Sequence, residues 1–336
     1  MKVIIDPEDD IQYMSFYIKG LGDRFGQRNL TFNHHAFDDL PIEERHTRTM
    51  RFIIKHGASE MRYVIDANDS YKVNGVLYDW SDLYGSVNAN FEKTPSRLQT
   101  KLVSLCPSFA IRYANALKGC ACAVKGVVTT RRNKRKYLGC WKRMLQRPVL
   151  SDYCYQQPEE RYVFHLSTLW LSDEWNRNDE GVNYRRAQFI KACKALEPEI
   201  VFEGGLVASG TVKESSIFVD CLSQRYKSDK WMKLTKASAI VFNTPAYWDC
   251  HGWKLGEFMA MGKAMLSTPL FNDLPSPLVN GEHIHFIEDF SVESIKENVD
   301  WMVKHRSYCE KLEHNILQYW LNYGTPLASL KLMGIA

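Results

Sequence analysis

An α/β fold built on doubly wound parallel sheets is what this sequence predicts, and three observations predict it. In residues 161–305 short β-branched and aromatic runs alternate with helical runs, the order that makes a parallel sheet with helices on its faces. The length of 336 residues suits two units of ordinary size. The composition, 45% apolar and 24% charged, is globular and excludes a disordered or fibrous chain.

Each element has its own warrant. Residues 1–6 read as a short buried strand that ends in the polar turn Pro7-Glu8-Asp9-Asp10. Residues 11–20 carry Ile11, Met14, Tyr17 and Ile18 at helical spacing. Residues 29–33 make a second strand, and 51–55 and 62–66 are strands on either side of a turn at Gly57. Residues 102–110 are a further apolar segment. The second half is cleaner. Residues 161–166 form a strand, and 185–196 a helix that stops at Glu197-Pro198. Residues 199–203 are a strand running into Gly204-Gly205, which reads either as a tight turn or as a close approach to a ligand. A short helix at 230–236 precedes a strand at 239–242 that ends before Pro245. The next helix, 254–261, places Leu255, Phe258 and Met259 on one face and closes at Gly262. Strands at 264–267 and 283–287 and a helix at 292–305 complete the alternation. Pro148 and Pro158 interrupt the pattern, so a domain break is expected within 151–160. One domain is 1–155, with 315–336 packing back on it, and the other is 156–314.

The net charge of +4, from 43 Lys and Arg against 39 Asp and Glu, conceals a segregation. Residues 94–151 hold 13 Lys and Arg and no acid, leaving a balance of −9 elsewhere. Such a window suits an anionic surface. Arg131, Arg132, Lys134, Arg135, Lys136, Lys142 and Arg143 form its densest part, with Tyr137, Trp141 and Leu145 interleaved. An anionic membrane or a lipid-linked acceptor is the expected partner, ahead of nucleic acid or plain solvation. A few such cations would hold a soluble protein at the inner membrane face. The first residues lack the apolar core of a secretory signal, and no run approaches a membrane span. The nine cysteines are odd in number and scattered, neither a disulfide framework nor a zinc spacing. A cytoplasmic protein, soluble or peripheral, is therefore expected.

The chemistry concentrates in residues 243–268. A strand ends, a loop containing Gly252 follows, and a helix starts near Lys254. Ligands of open α/β sheets bind at the carboxyl ends of strands. A helix N-terminus offers free N–H groups to an anion. Gly252 lets the backbone approach, Lys254 adds a point charge, and Glu257 lies one turn further, placed to accept protons from ribose hydroxyls. These are the parts of a nucleoside diphosphate site. The bland readings are a solvated Glu257 and a turn-capping Asp249.

On these residues the segment resembles the donor motif of retaining, group 1 glycosyltransferases of the GT-B type, resembling family four. Asp249 and Glu257 stand as two acids separated by seven residues, with Gly252 three after the first, Gly262 at the helix end, and Ser267-Thr268 after the next strand. The resemblance covers about 161–305; the first half matches only in the order of its elements. It implies two Rossmann-like domains facing a cleft, and transfer of a hexose from a nucleotide sugar to a hydroxyl, with retention and without a metal or other cofactor. It implies polysaccharide or glycolipid synthesis. It gives Asp249 and Lys254 catalytic roles, and makes Glu257, Gly252, His251, Gly205 and Lys213 donor contacts. Departures are Asp in place of the commoner Glu at 249, Asp6-Pro7 in place of a Gly-rich turn, and no plain Arg and Lys pair on the early loops of the second domain. Arg177, Arg186 and Lys213 are candidates for that pair.

The polar, aromatic run 79–88 offers Asp82, Tyr84 and Asn88 as acceptor contacts. His34-His35 and His283/His285 read as structural rather than metal-binding, for want of a third ligand. Gly20, Gly22 and Gly26 miss the dinucleotide fingerprint, because Phe25 stands at the third glycine position and a helix precedes them. Rival functions are a basic nucleic-acid-binding module on a non-catalytic Rossmann-like domain, and a sugar-nucleotide epimerase on the same fold.

Overall fold

The computed structural model describes residues 1–335 except 47, 131–133, 171–180, 209 and 213–215. The architecture is α/β, as the alternation predicts, with mainly parallel strands flanked by helices. The first half contains β1 (Lys2–Ile5), α1 (Ile11–Phe25), β2 (Leu30–Phe32), β3 (Thr49–His56), β4 (Ser59–Asp66), α2 (Gly75–Trp80), β5 (Leu83–Ser86), β6 (Leu102–Ser104), α3 (Ala116–Thr129) and α4 (Lys134–Leu145). Its sheet has the order β2-β1-β3-β4-β5-β6. Only β3 runs against its neighbours, because the Gly57 turn makes β3 and β4 a hairpin. Helix α1 begins where Asp10 accepts from the Gln12 N–H, and it continues past the expected end to Phe25. Leu21 extends its buried face of Ile11, Met14, Tyr17 and Ile18.

A buried ion network fills the turn after β1. Arg45 donates to Asp6 at 2.8 Å and Arg51 donates to the other Asp6 oxygen at 3.1 Å. Arg51 also pairs with Asp9, and the Thr130 hydroxyl donates to Glu8 at 3.0 Å. All six side chains are buried. A Gly-rich turn would leave this corner open to a ligand; here charged side chains occupy it.

The second half contains β7 (Tyr162–Leu169), α5 (Val182–Lys194), β8 (Val201–Ala208), α6 (Ser228–Ala237), β9 (Val241–Asn243), α7 (Trp253–Ala260), β10 (Met265–Ser267), β11 (His285–Phe286), α8 (Val292–Lys304), α9 (Arg306–Tyr319) and α10 (Pro326–Leu332). Strands β7 and β8 pair in parallel, as do β9, β10 and β11. The two groups meet where the Ala239 N–H donates to the Tyr162 carbonyl at 2.7 Å. Strand β7 therefore lies between β8 and β9, at the point where the winding reverses. Gly204 and Gly205 are not a turn. They lie inside β8 at φ 121° and 147°, where added Cβ atoms would meet the His165 and Cys221 carbonyls.

The chain passes between the halves twice. Residues 146–161 make the first passage and Trp320–Gly324, a π-helical stretch, the second. Both passages touch Phe109: its ring lies 4.6 Å from Tyr153 and 5.7 Å from Trp320. Helix α10 then packs on α1 of the first half. Helix α7 also presses on the first half, with Gly256 against the Pro107 backbone. All nine cysteines are free, six of them buried.

Candidate functional site

A cleft of about 1540 Å³ opens between the two halves. Its floor includes Leu166, Ser167 and Thr168 from the end of β7 and Asn243 and Thr244 at the end of β9. This is the carboxyl edge at the winding reversal, where open α/β sheets bind ligands. Helix α7 starts at this edge. Gly252 is its N-cap, and no side chain caps it, so the first turn keeps unsatisfied N–H groups.

Lys254 and Arg186 converge here. Lys254 Nζ donates to the Leu166 carbonyl and, at 2.7 Å, to Ser167 Oγ. Arg186, from α5, donates to Thr244 Oγ1 and to the Thr168 carbonyl, each at 3.0 Å. Burial, with Arg186 alongside, lowers the Lys254 ammonium to about 7. Burial likewise lowers Arg186 to about 10, which leaves it charged at neutral pH. His165 lies under this pair with Nε2 2.8 Å from Ser167 Oγ. Burial, then the charges of Lys254 and Arg186, push it well below the ordinary histidine range. A neutral His165 accepts from Ser167, whose oxygen accepts from Lys254, so one short chain orients the lysine.

Glu257 lies one turn beyond Lys254 and is only 6% exposed. The Tyr153 hydroxyl donates to it at 3.4 Å. Burial raises its carboxyl, while Arg147, Lys254 and Tyr153 draw it back down. His251 also lines the cleft. Its N–H donates to Asn88 Oδ1 at 2.7 Å, and its Nδ1 lies 3.1 Å from the Val87 carbonyl, which can only accept. Burial lowers this imidazole to about 4, so it is neutral. The cleft thus joins two cations and a helix N-terminus to a buried carboxylate one turn away. An anion with a hydroxylated ring attached matches that order of groups.

Gly252, His251, Lys254 and Glu257 thus come together in the cleft. Asp249 does not join them: it is exposed, outside the cleft lining, in a left-handed turn with Trp248 at φ 58° and 53°. Gly205 does not join them either, because it is held inside β8 against Cys221. Lys213 and Arg177 lie outside the described residues. Asp82, Tyr84 and Asn88 do not line the cleft. Asp82 is exposed and accepts from the Arg62 N–H at 2.7 Å, and buried Tyr84 donates to Asp66. Asn88 reaches the site indirectly, by holding the His251 backbone. Of the three candidates for the basic pair, Arg186 is the one among the described residues, and it lies in the cleft; His165, Ser167, Thr244 and Tyr153 carry no local motif, and only the general rule that β-strand ends bind ligands pointed to their neighbourhood.

His285 is bound by Tyr308 and Asn298, each at 2.8 Å, and His283 accepts from the Val279 N–H. His34, His35 and Asp38 bring three ligand atoms within 4.8 Å, but the Arg45 guanidinium lies 3.3 Å from His34 Nδ1 and disfavours a cation.

No protein-family model matches the chain, and a search of curated proteins finds no match. Solved structures similar to it include the C-terminal domain of a glycosyl transferase group 1 family protein from Francisella tularensis, at 12% identity and a TM-score of 0.39, covering 52% of this chain and 97% of that one. A glycosyltransferase from Rickettsia africae has 11% identity and a TM-score of 0.40, with 79% and 65% covered. The HepE protein from Anabaena, in complex with UDP-glucose, has 10% identity and a TM-score of 0.38, with 81% and 97% covered. A similarity at this level assigns no function.

Proposed function

We propose that this chain is a glycosyltransferase that moves a hexose from a nucleotide-diphosphate sugar to the hydroxyl of a glycan or lipid-linked acceptor, with retention. One observation carries the reading: the uncapped start of α7, Lys254 and Arg186 meet at the reversal of the second sheet, with Glu257 buried one turn away. The diphosphate takes the N–H groups and the two cations, which stabilise the leaving charge without a metal. Glu257 accepts from the ribose hydroxyls. The departing phosphate assists deprotonation of the acceptor on its own side of the sugar, so no protein nucleophile is needed. Residues 156–314 form the donor domain, and 1–155 with 315–336 the acceptor domain, a division consistent with α10 packing on α1. The exposed cations of α4 face an anionic membrane, where the acceptor is held.

The test is turnover of a panel of nucleotide sugars in the presence of a chelator, by the intact protein and by E257A. At least one donor is expected to be hydrolysed slowly, and E257A to lower that rate roughly a hundredfold, the scale of losing one positioned site group. A folded E257A with undiminished turnover would exclude the ribose role.

A further inference from the structure

The cleft carries more positive charge than one diphosphate requires. Among the described residues its lining holds ten Lys and Arg and four Asp and Glu. Arg186 and Lys254 serve the sheet edge. A second group, Arg112, Arg143 and Arg147, stands on the opposite wall in the first half. Among the described residues none of the three makes an ion pair with a carboxylate: Arg143 donates to Gln12 Oε1 at 2.5 Å, and Arg147 lies over the Trp253 ring at 5.0 Å. The nearby acids are otherwise engaged, since Asp69 pairs with Arg48 and Asp152 accepts from the Val149 N–H. The charge of Arg147 also reaches Glu257, but through space only.

Two further observations extend this wall into a subsite. Tyr13 and Trp253 meet edge to face at 5.0 Å and both line the cleft, with Arg48 over the Tyr13 ring at 5.1 Å. Trp253 directly precedes Lys254, so a ring lying on this pair sits beside the diphosphate position. The volume of about 1540 Å³ also exceeds the ~300–1,000 Å³ usual for one small ligand. We propose that the first-half wall of the cleft binds an acidic acceptor, whose sugar ring rests on Tyr13 and Trp253 and whose phosphate or carboxylate meets Arg112, Arg143 and Arg147. The inference rests on the donor reading above and names its acceptor class.

The test titrates the full-length protein, saturated with whichever of UDP, GDP or ADP binds most tightly, with inorganic pyrophosphate, with methyl β-glucuronide and with neutral methyl β-glucoside. Pyrophosphate binding identifies a phosphorylated acceptor and glucuronide binding a carboxylated one. At least one of the two is expected to bind, and the glucoside is not. R112Q/R143Q is expected to weaken that binding roughly tenfold or more, the scale of losing charge-assisted contacts, and to change nucleotide affinity less than about twofold. R186Q is expected to do the reverse. Failure of both acids to bind the nucleotide-saturated protein, or no effect of R112Q/R143Q, overturns the acidic subsite. Failure of every nucleoside diphosphate to bind overturns the donor reading, and with it the acceptor role of this wall.

Discussion

Lys254 holds a charge that depends on what occupies the cleft. Burial and Arg186 put its titration at about 7, so the empty site loses the proton as pH rises through neutrality. A bound diphosphate favours the ammonium and raises that value. Binding should therefore take up close to one proton at about pH 8 and almost none at about pH 6. Calorimetry in buffers of different ionisation heat measures this, and K254M should abolish the uptake. Equal uptake at both pH values would show that Lys254 does not meet the anion. Lys254, Gly252 and Glu257 were legible in the sequence because a helix start and an i, i+3 spacing place them together. Arg186 was one of three candidates for a basic partner, and the sequence could not choose among them, because α5 brings it from 68 positions away and only the fold makes it a neighbour of Lys254. Asp249 shows the opposite limit of the sequence. Its spacing from Glu257 suits a site acid, but a left-handed turn carries it to solvent.

At the level of elements, α7 matters for where it sits as much as for what it carries. An added Cβ at Gly256 would fall well inside contact with the Pro107 carbonyl oxygen. That oxygen belongs to the backbone of the other half and cannot rotate away. Gly256→Ala should cost roughly 1–3 kcal/mol, as overpacking does, and displace Lys254 and Glu257 with the helix. Thermal unfolding together with nucleotide affinity would detect it; a variant unchanged in both would mean that α7 can shift freely. The sequence reading found the strands and helices of the second half because their periodicity is strong. It misjudged the Gly204-Gly205 pair, since glycine ordinarily ends a strand. The pair continues β8 because the His165 and Cys221 backbones leave no room for side chains. The ion network after β1 was equally illegible: Arg45 comes to Asp6 from 39 positions away, and Arg51 to Asp6 and Asp9 from 45 and 42.

For the molecule as a whole, the segregated charge becomes a shape. Helix α4 buries Tyr137, Cys140, Trp141 and Met144, which leaves Lys134, Arg135, Lys136, Lys142 and Arg143 on its exposed side. Arg131 and Arg132 lie outside the described residues. Among those described, no helix is long and apolar enough to cross a membrane. Replacing Lys134, Arg135 and Lys142 by Gln should weaken binding to phosphatidylglycerol vesicles by about 1 kcal/mol per cation. Cosedimentation at low salt reads this, and unchanged binding would remove α4 from any membrane role. The same basic window supplies Arg112, Arg143 and Arg147 to the cleft, so surface and site share one source of charge.

The two chain passages that meet on Phe109 have a mechanical meaning. A pair of bodies joined by one strand can bend and twist freely. Joined by two strands side by side, they lose most of that freedom, and a swing of one half on the other would turn about the aromatic cluster of Tyr153, Phe109 and Trp320. Atoms near that pivot hardly travel, while the distant lips of the cleft sweep furthest. Glu257, hydrogen-bonded to Tyr153, lies beside that cluster and would keep its geometry in such a swing. The hold on a ribose would then survive an opening that has already parted the lips, and the nucleotide would be the last group released.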